Sequence, residues 1–391
     1  MNTKPLIHYY FPNKRLAKGE ASLIRSIMDR EHKGKYPRIS LGLGELTFSM
    51  PRKAQIVNQE AIKEGKTGYT PNAGLVELRD AVAKRVSQEL AIQIDKNNVI
   101  ITSGSTGGLY IAFETMLNPD DEVLIPALHY PLYKTLSEKW GAQVIEYALT
   151  EHFDIAVDDL LGKITPRTKL IVINSPSNPT GQIVSLQALK RLAKATANHP
   201  SLFFLSDEIY STCIFAGASH HSIASLSERV IVVNGLSKQA SQTGKRLGWI
   251  IGPDFFIKDA FKSQQATYVC APTDSQYAAL PVLSGECDDD LLSYHKQLDQ
   301  RRKLMESLLK EISGLRFQES HGAFYYLVDV SRYGDGMSVA KKLIEAVNVV
   351  TVPGVAFGNA GANYIRLSYA ATKHEITEGI TRMKGVFSTW Q

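Results

Sequence analysis

Only three cysteines occur in 391 residues, Cys213, Cys270 and Cys287, and none stands in a Cys-x-x-Cys pair or at metal-ligand spacing from a histidine. That argues against a disulfide framework and a zinc site, and the thiols read as buried groups of a reducing compartment. Long apolar runs are missing as well. No stretch approaches the length that spans a bilayer, and Met1 to Glu20 lacks the apolar segment of a signal peptide, so the expectation is a cytoplasmic protein with no membrane partner. Charge of one sign is not in large excess either: the formal net charge is +5. The basic clusters Lys14-Arg15-Leu16-Ala17-Lys18 and Arg301-Arg302-Lys303 carry no interleaved aromatics and read as solvated helix faces rather than a nucleic-acid surface. Internal repeats, low-complexity tracts and Pro/Gly/Ser linkers are absent.

What is present is ordinary globular composition, 44% hydrophobic and 21% charged, at a length that suits one large domain with a smaller companion. Short apolar, β-branched runs recur through the middle of the chain: 98–102, 122–126, 143–147, 169–174, 202–205, 230–233 and 249–252. Runs that are apolar on both faces suit strands covered by helices on each side, and hence a mostly parallel α/β sheet. Between them lie helix patterns such as Ser185 to Ala197, with Leu186, Leu189, Leu192 and Ala193 at three- and four-residue steps. From about Asp288 the texture changes to a long charged helix pattern over 291–312, an apolar segment over 323–330, a helix pattern over 338–346 and another apolar segment over 364–369. The expected fold is therefore α/β: a large domain over 51–287 with a mostly parallel seven-stranded sheet covered by helices on both faces. A smaller α+β domain follows over 288–391, with an N-terminal segment, 1–50, packing on it.

Ligands of open parallel sheets bind beyond the carboxyl ends of the strands. The residues that follow five of the runs are chemically loaded. They are Ser103-Gly104-Ser105-Thr106-Gly107-Gly108, then Tyr130-Pro131-Leu132-Tyr133, Pro176-Ser177-Asn178-Pro179-Thr180-Gly181, Ser206-Asp207-Glu208-Ile209-Tyr210 and Gly235-Leu236-Ser237-Lys238. Any one of these has a bland reading as a flexible turn, a helix cap or a surface lysine. Five together at five strand ends point to one crevice holding a phosphate loop, an aromatic, an amide, a carboxylate with a phenol, and a lysine.

The chain resembles the class I/II aminotransferases of the fold-type I pyridoxal-phosphate enzymes. The resemblance is carried by Ser175-Pro176-Ser177-Asn178-Pro179-Thr180-Gly181 and by Ser237-Lys238 followed by Thr243-Gly244-Lys245-Arg246-Leu247-Gly248-Trp249. It extends from Gly42-Leu43-Gly44-Glu45 through Tyr69-Thr70-Pro71 to Tyr364-Ile365-Arg366-Leu367-Ser368. It implies pyridoxal 5'-phosphate as cofactor, a Schiff base on Lys238, and a ping-pong exchange of an amino group between an amino acid and a 2-oxo acid. Lys238, once displaced, is the implied general base, Asp207 the partner of the pyridine nitrogen, and Tyr210 and Asn178 the partners of the cofactor's phenolic oxygen.

Gly104, Ser105 and Thr106 would grip the phosphate with Ser237 and Arg246, Tyr130 would stack on the ring, and Arg366, Asn178 and Gly44 would receive the substrate. Tyr69 resembles a tyrosine that reaches the neighbouring subunit's phosphate, which implies a homodimer with shared sites, and Gln276 fits a family motif near the same place. Two positions depart from the pattern. Thr106 replaces a frequent lysine, and Gly44-Glu45-Leu46-Thr47 lacks the proline and one acid of the usual Gly-Glu-Pro-Asp. A carbon-sulfur lyase or other β-eliminating enzyme on the same site is the alternative activity, and a non-catalytic sensing module is a third. The segment before Gly42 is too short for the DNA-binding extension that such a module would carry.

Overall fold

The computed structural model describes residues 23–28 and 35–390. The Lys14–Lys18 cluster and much of the expected 1–50 segment lie outside the described residues. Seven strands form the large sheet: β1 (Val99–Ser103), β2 (Glu122–Pro126), β3 (Gln143–Tyr147), β4 (Thr168–Asn174), β5 (Phe203–Asp207), β6 (Val230–Gly235) and β7 (Leu247–Ile251). Their order is β1-β7-β6-β5-β4-β2-β3, and every neighbouring pair is parallel except the two made by β7.

These runs become buried strands because both of their faces are apolar. Leu170, Val172, Phe203, Leu205, Ile231 and Val233 join the core on one side with Leu109, Ile111 and Phe113 of the helix Gly104–Met116. The alternate residues Ile171, Ile173, Phe204, Val230 and Val232 join the core on the other side. There they meet Leu78 and Val82 of the helix Val76–Leu90 and Leu189 and Leu192 of the helix Leu186–Thr196, whose N-cap is Ser185.

A second, antiparallel sheet is built from Arg316–Phe317, Tyr325–Asp329, Tyr364–Ser368 and Val352–Pro353. The helices Asp288–Lys310, Gly336–Val347 and Lys373–Ser388 contribute Leu298, Met305, Val339, Leu343, Ile376 and Ile380 to its core. The last of these helices starts on a capping box between Thr372 and Glu375. Ile39–Ser40 pairs in parallel with Val349–Val350, and Ile39, Leu41 and Leu46 are buried in the same core.

Two sequence readings need correction. Arg301 and Arg302 are not on a solvated face: they are 7% and 2% exposed. Arg302 is held by Asp299, Glu306 and Glu319, and Arg301 donates to Thr47 Oγ1 and Ala370 O over the ring of Phe48. Long stems let the Arg301 head group lie against the 47–48 segment and the Arg302 head group reach Glu319, with both charges hydrogen-bonded. Among the cysteines, Cys213 and Cys287 are buried free thiols, whereas Cys270 is partly exposed.

Candidate functional site

The carboxyl ends of β1, β4, β5 and β6 open on one edge of the large sheet. Because β7 runs the other way, its amino end lies there too: Leu247 pairs with Ser103 and Gly248 with Gly235. The antiparallel strand therefore delivers Arg246, the residue just before it, to the same edge as residues that follow the parallel strands. Gly104 opens the helix after β1 with φ +72°, and a Cβ there would sit 2.6 Å from Arg246 Nη2. Only glycine allows this approach. The helix has Ser103 as its cap residue, whose side chain makes no capping hydrogen bond, so the first amides and the guanidinium bound an electropositive cradle. Ser105 is half-buried on the first turn, Thr106 is exposed, and Ser237 is 5% exposed at the end of β6.

Asp207 ends β5 at 3% exposure. Its Oδ2 accepts from the hydroxyl of Tyr133 at 2.6 Å and its Oδ1 from the amide of Ile209 at 3.3 Å, with no salt bridge among the described residues. Burial pushes this carboxyl up to about 6, against the lowering effect of those donors. Tyr130 stands edge-on to Tyr133, with 5.7 Å between ring centroids, and feels the charges of Asp207, Arg246 and Arg366 together.

Lys238 follows β6 and donates from Nζ to Gly44 O at 2.6 Å. Burial first, then the positive fields of Arg366 and Arg246, bring its ammonium down to about 8. Arg366 is 3% exposed, between the rings of Tyr325 and Phe357, whose centroids are 4.2 and 4.8 Å from its guanidinium carbon. Its Nη1 donates to Asn178 Oδ1 at 2.7 Å and its Nη2 to Gly42 O at 2.7 Å, while Nε has no hydrogen-bond partner among the described residues. Tyr210 shares a 2.9 Å hydroxyl contact with Tyr325, whose oxygen also lies where a Cβ on Gly44 would fall.

The fold thus gathers Lys238, Asp207, Tyr210, Tyr130, Asn178, Gly44, Gly104, Arg246 and Arg366 around one crevice. Tyr69 is not part of that cluster within a single chain, because its side chain is 88% exposed. Gln276 has a fastening role instead: at 0% exposure it accepts from Leu75 N and donates to Thr70 Oγ1 and Ala271 O, which ties down the chain beside Tyr69. Two site residues were missed in the sequence. Tyr133 was visible as the second aromatic of the Tyr130-Pro131-Leu132-Tyr133 stretch. Tyr325 sat inside an apolar run and carried no distinguishing signal.

Comparison with known proteins gives a concordant result. The family described as aminotransferase class I and II matches residues 37–383. A probable aspartate aminotransferase of Methanocaldococcus jannaschii is 38% identical over 357 residues, covering 89% of this chain and 93% of that protein. An aspartate aminotransferase of Pyrococcus horikoshii is 35% identical, covering 96% of this chain and 97% of its own. The solved structure of Thermus thermophilus aspartate aminotransferase with maleate has a TM-score of 0.91 at 29% identity and covers 97% of this chain and 100% of that one.

Proposed function

We propose, from the premise that this chain belongs to the class I and II aminotransferases and is a pyridoxal-phosphate-dependent transaminase acting on an amino acid and a 2-oxo acid, that Lys238 carries the cofactor and moves the substrate's α-proton. One observation carries the assignment: the charged and polar groups around the crevice lack the partners that this cofactor and its substrate bring. Among the described residues Asp207 is a buried carboxylate with no salt bridge, the Gly104 helix end and Arg246 form an electropositive cradle with no acidic side chain hydrogen-bonded in it, and Arg366 keeps one unpaired N–H. These needs match a ring nitrogen, a phosphate and a substrate carboxylate.

In this reading the cofactor supplies an electron-accepting ring. Asp207 holds a proton on the ring nitrogen, and Tyr210 and Asn178 donate at the phenolic oxygen. Gly104, Ser105, Thr106, Ser237 and Arg246 hold the phosphate through backbone amides, hydroxyls and one guanidinium. Tyr130 covers one ring face. Arg366, Asn178 and the Gly44 backbone fix the substrate's α-carboxylate, which fixes where its α-hydrogen points. Freed from its covalent duty, the Lys238 amine has an affinity for protons near the working pH, which suits a base that would take the proton from the substrate's Cα and deliver it to the cofactor's C4′ carbon.

The remaining parts of the reading are a homodimer that places Tyr69 in the neighbouring site, a cytoplasmic location, and a division of the chain into 1–50, 51–287 and 288–391. The first is supported by the exposure of Tyr69 together with that of Ile62 and Val76, which flank it in the chain. The second is supported by three free cysteines, and no helix of the described residues is long and apolar enough to cross a membrane. Support for the third is that the core of the smaller sheet is distinct from the two cores flanking the large sheet and takes in Ile39, Leu41 and Leu46, with Ile209, Tyr210, Cys213 and Phe215 joining it from the large domain.

The deciding experiment mixes holoenzyme with single amino acids and no acceptor. Transamination releases one 2-oxo acid per site and then stops until a 2-oxo acid is added. Continuous release of pyruvate and ammonia would instead establish elimination.

A further inference from the structure

Tyr133 is a fully buried phenol to which the roles above give no task. It lies on the helix Pro131–Lys139 at 0% exposure, and among the described residues the acceptor of its hydroxyl is Asp207 Oδ2. Asp207 is faced by Tyr133 and Tyr130 from this helix, by Glu208 next in the chain, by Tyr210 one turn on, and by Lys238 from the loop after β6. Burial and the like charge of Glu208 favour the protonated acid, whereas Tyr133, the Ile209 amide and Lys238 favour the anion.

Glu208 is itself occupied, since Ser206 and Ser222 donate to its Oε1 and His220 faces Oε2 at 3.4 Å. The strongest neutral donor left to Asp207 is therefore the 2.6 Å phenol, and burial keeps that phenol protonated well above its ordinary range, so it remains a donor at working pH. With Oδ2 taken, the lone pairs left for a ligand are chiefly those of Oδ1, whose one hydrogen bond among the described residues, from the Ile209 amide, is long at 3.3 Å.

We propose that Tyr133 is a positioning residue for transamination: its hydroxyl locks the Asp207 carboxylate in one rotamer and keeps it anionic toward the cofactor's ring nitrogen. This rests on the assignment of Asp207 made above. Tyr133→Phe removes one oxygen and leaves the ring packed on Tyr130. A hydrogen bond to a charged group contributes about 1.5–3 kcal/mol, so kcat should fall about 10- to 100-fold, with the KM for the amino acid nearly unchanged because Tyr133 does not touch Arg366.

A second readout does not depend on turnover. Without Tyr133 the carboxylate draws the shared proton more strongly, the ring becomes less positive, and the nitrogen linked to Lys238 becomes more basic. The pH midpoint of the bound cofactor's absorbance change should therefore rise by about one pH unit. An unmoved midpoint, with or without a loss of thermal stability, overturns the proposal. Asp207→Asn is titrated alongside. If it leaves the midpoint at the wild-type value, the Asp207 assignment itself fails; if it moves the midpoint and Tyr133→Phe does not, only the role of Tyr133 fails.

Discussion

Replacing Arg366 by lysine keeps the charge and removes the planar fork. In the structure that fork is held between the Tyr325 and Phe357 rings and spends its two terminal nitrogens on Asn178 Oδ1 and Gly42 O, each at 2.7 Å. A carboxylate docking there can take two parallel N–H bonds from arginine but one from lysine, whose shorter stem also leaves Asn178 or Gly42 without its donor. Losing one charge-assisted bond costs about 1.5–3 kcal/mol, which corresponds to a fall of about 10- to 100-fold in kcat/KM. The assay compares Arg366→Lys with wild type on an α-amino acid and on the amine that lacks its carboxylate, following the bound cofactor's absorbance in single turnovers. The amino acid alone should suffer, so the preference for it over the amine should shrink by the same factor. Equal losses on both substrates would refute the reasoning, because they would mean that the variant damaged the fold or the cofactor rather than carboxylate binding.

Two other outcomes follow from the same geometry. Gly104→Ala places a methyl against Arg246 Nη2 at a φ of +72°, which pushes the guanidinium out of the cradle, so apoenzyme titrated with pyridoxal phosphate should lose about 1.5 kcal/mol of a charge-assisted contact and bind it about tenfold more weakly. An unchanged Kd would remove the cradle from the phosphate site. In apoprotein, Asp207 titrates at about 6 when folded against about 3.9 unfolded. The unfolded chain then releases its proton first as the pH rises, so stability should decline between about pH 4 and 6, by at most about 3 kcal/mol, and Asp207→Asn should remove that slope in urea unfolding series. Parallel curves for the two proteins would contradict the burial of this carboxyl.

Much of the fold is legible because burial on both faces writes itself into composition. The runs at 122–126 and 143–147 coincide with β2 and β3. The run at 202–205 stops short of Ser206 and Asp207, which belong to β5 although they are polar, since that strand end is where the chemistry sits. Strand order is not legible: apolar runs carry no mark of direction, and the reversal of β7 that brings Arg246 beside Gly104 emerges only from pairing.

The gathering of side chains could be read where a reactive group follows a strand, as with Lys238, which meets Gly44 O, and Asn178, which meets Arg366. Tyr325 could not, because a tyrosine within an apolar strand has the same pattern whether its hydroxyl meets Tyr210 or nothing. The same limit explains Arg301 and Arg302, whose charges suggested solvent until Asp299, Glu306, Glu319 and Ala370 O were seen to pair with them.

The most direct test of the central claim is to reduce holoenzyme with borohydride, digest it and locate the added pyridoxyl mass. The account predicts the label on the peptide containing Lys238, and on no other lysine. A label on Lys245 or elsewhere, or a Lys238→Ala protein that still turns yellow and accepts the reduction, would contradict it.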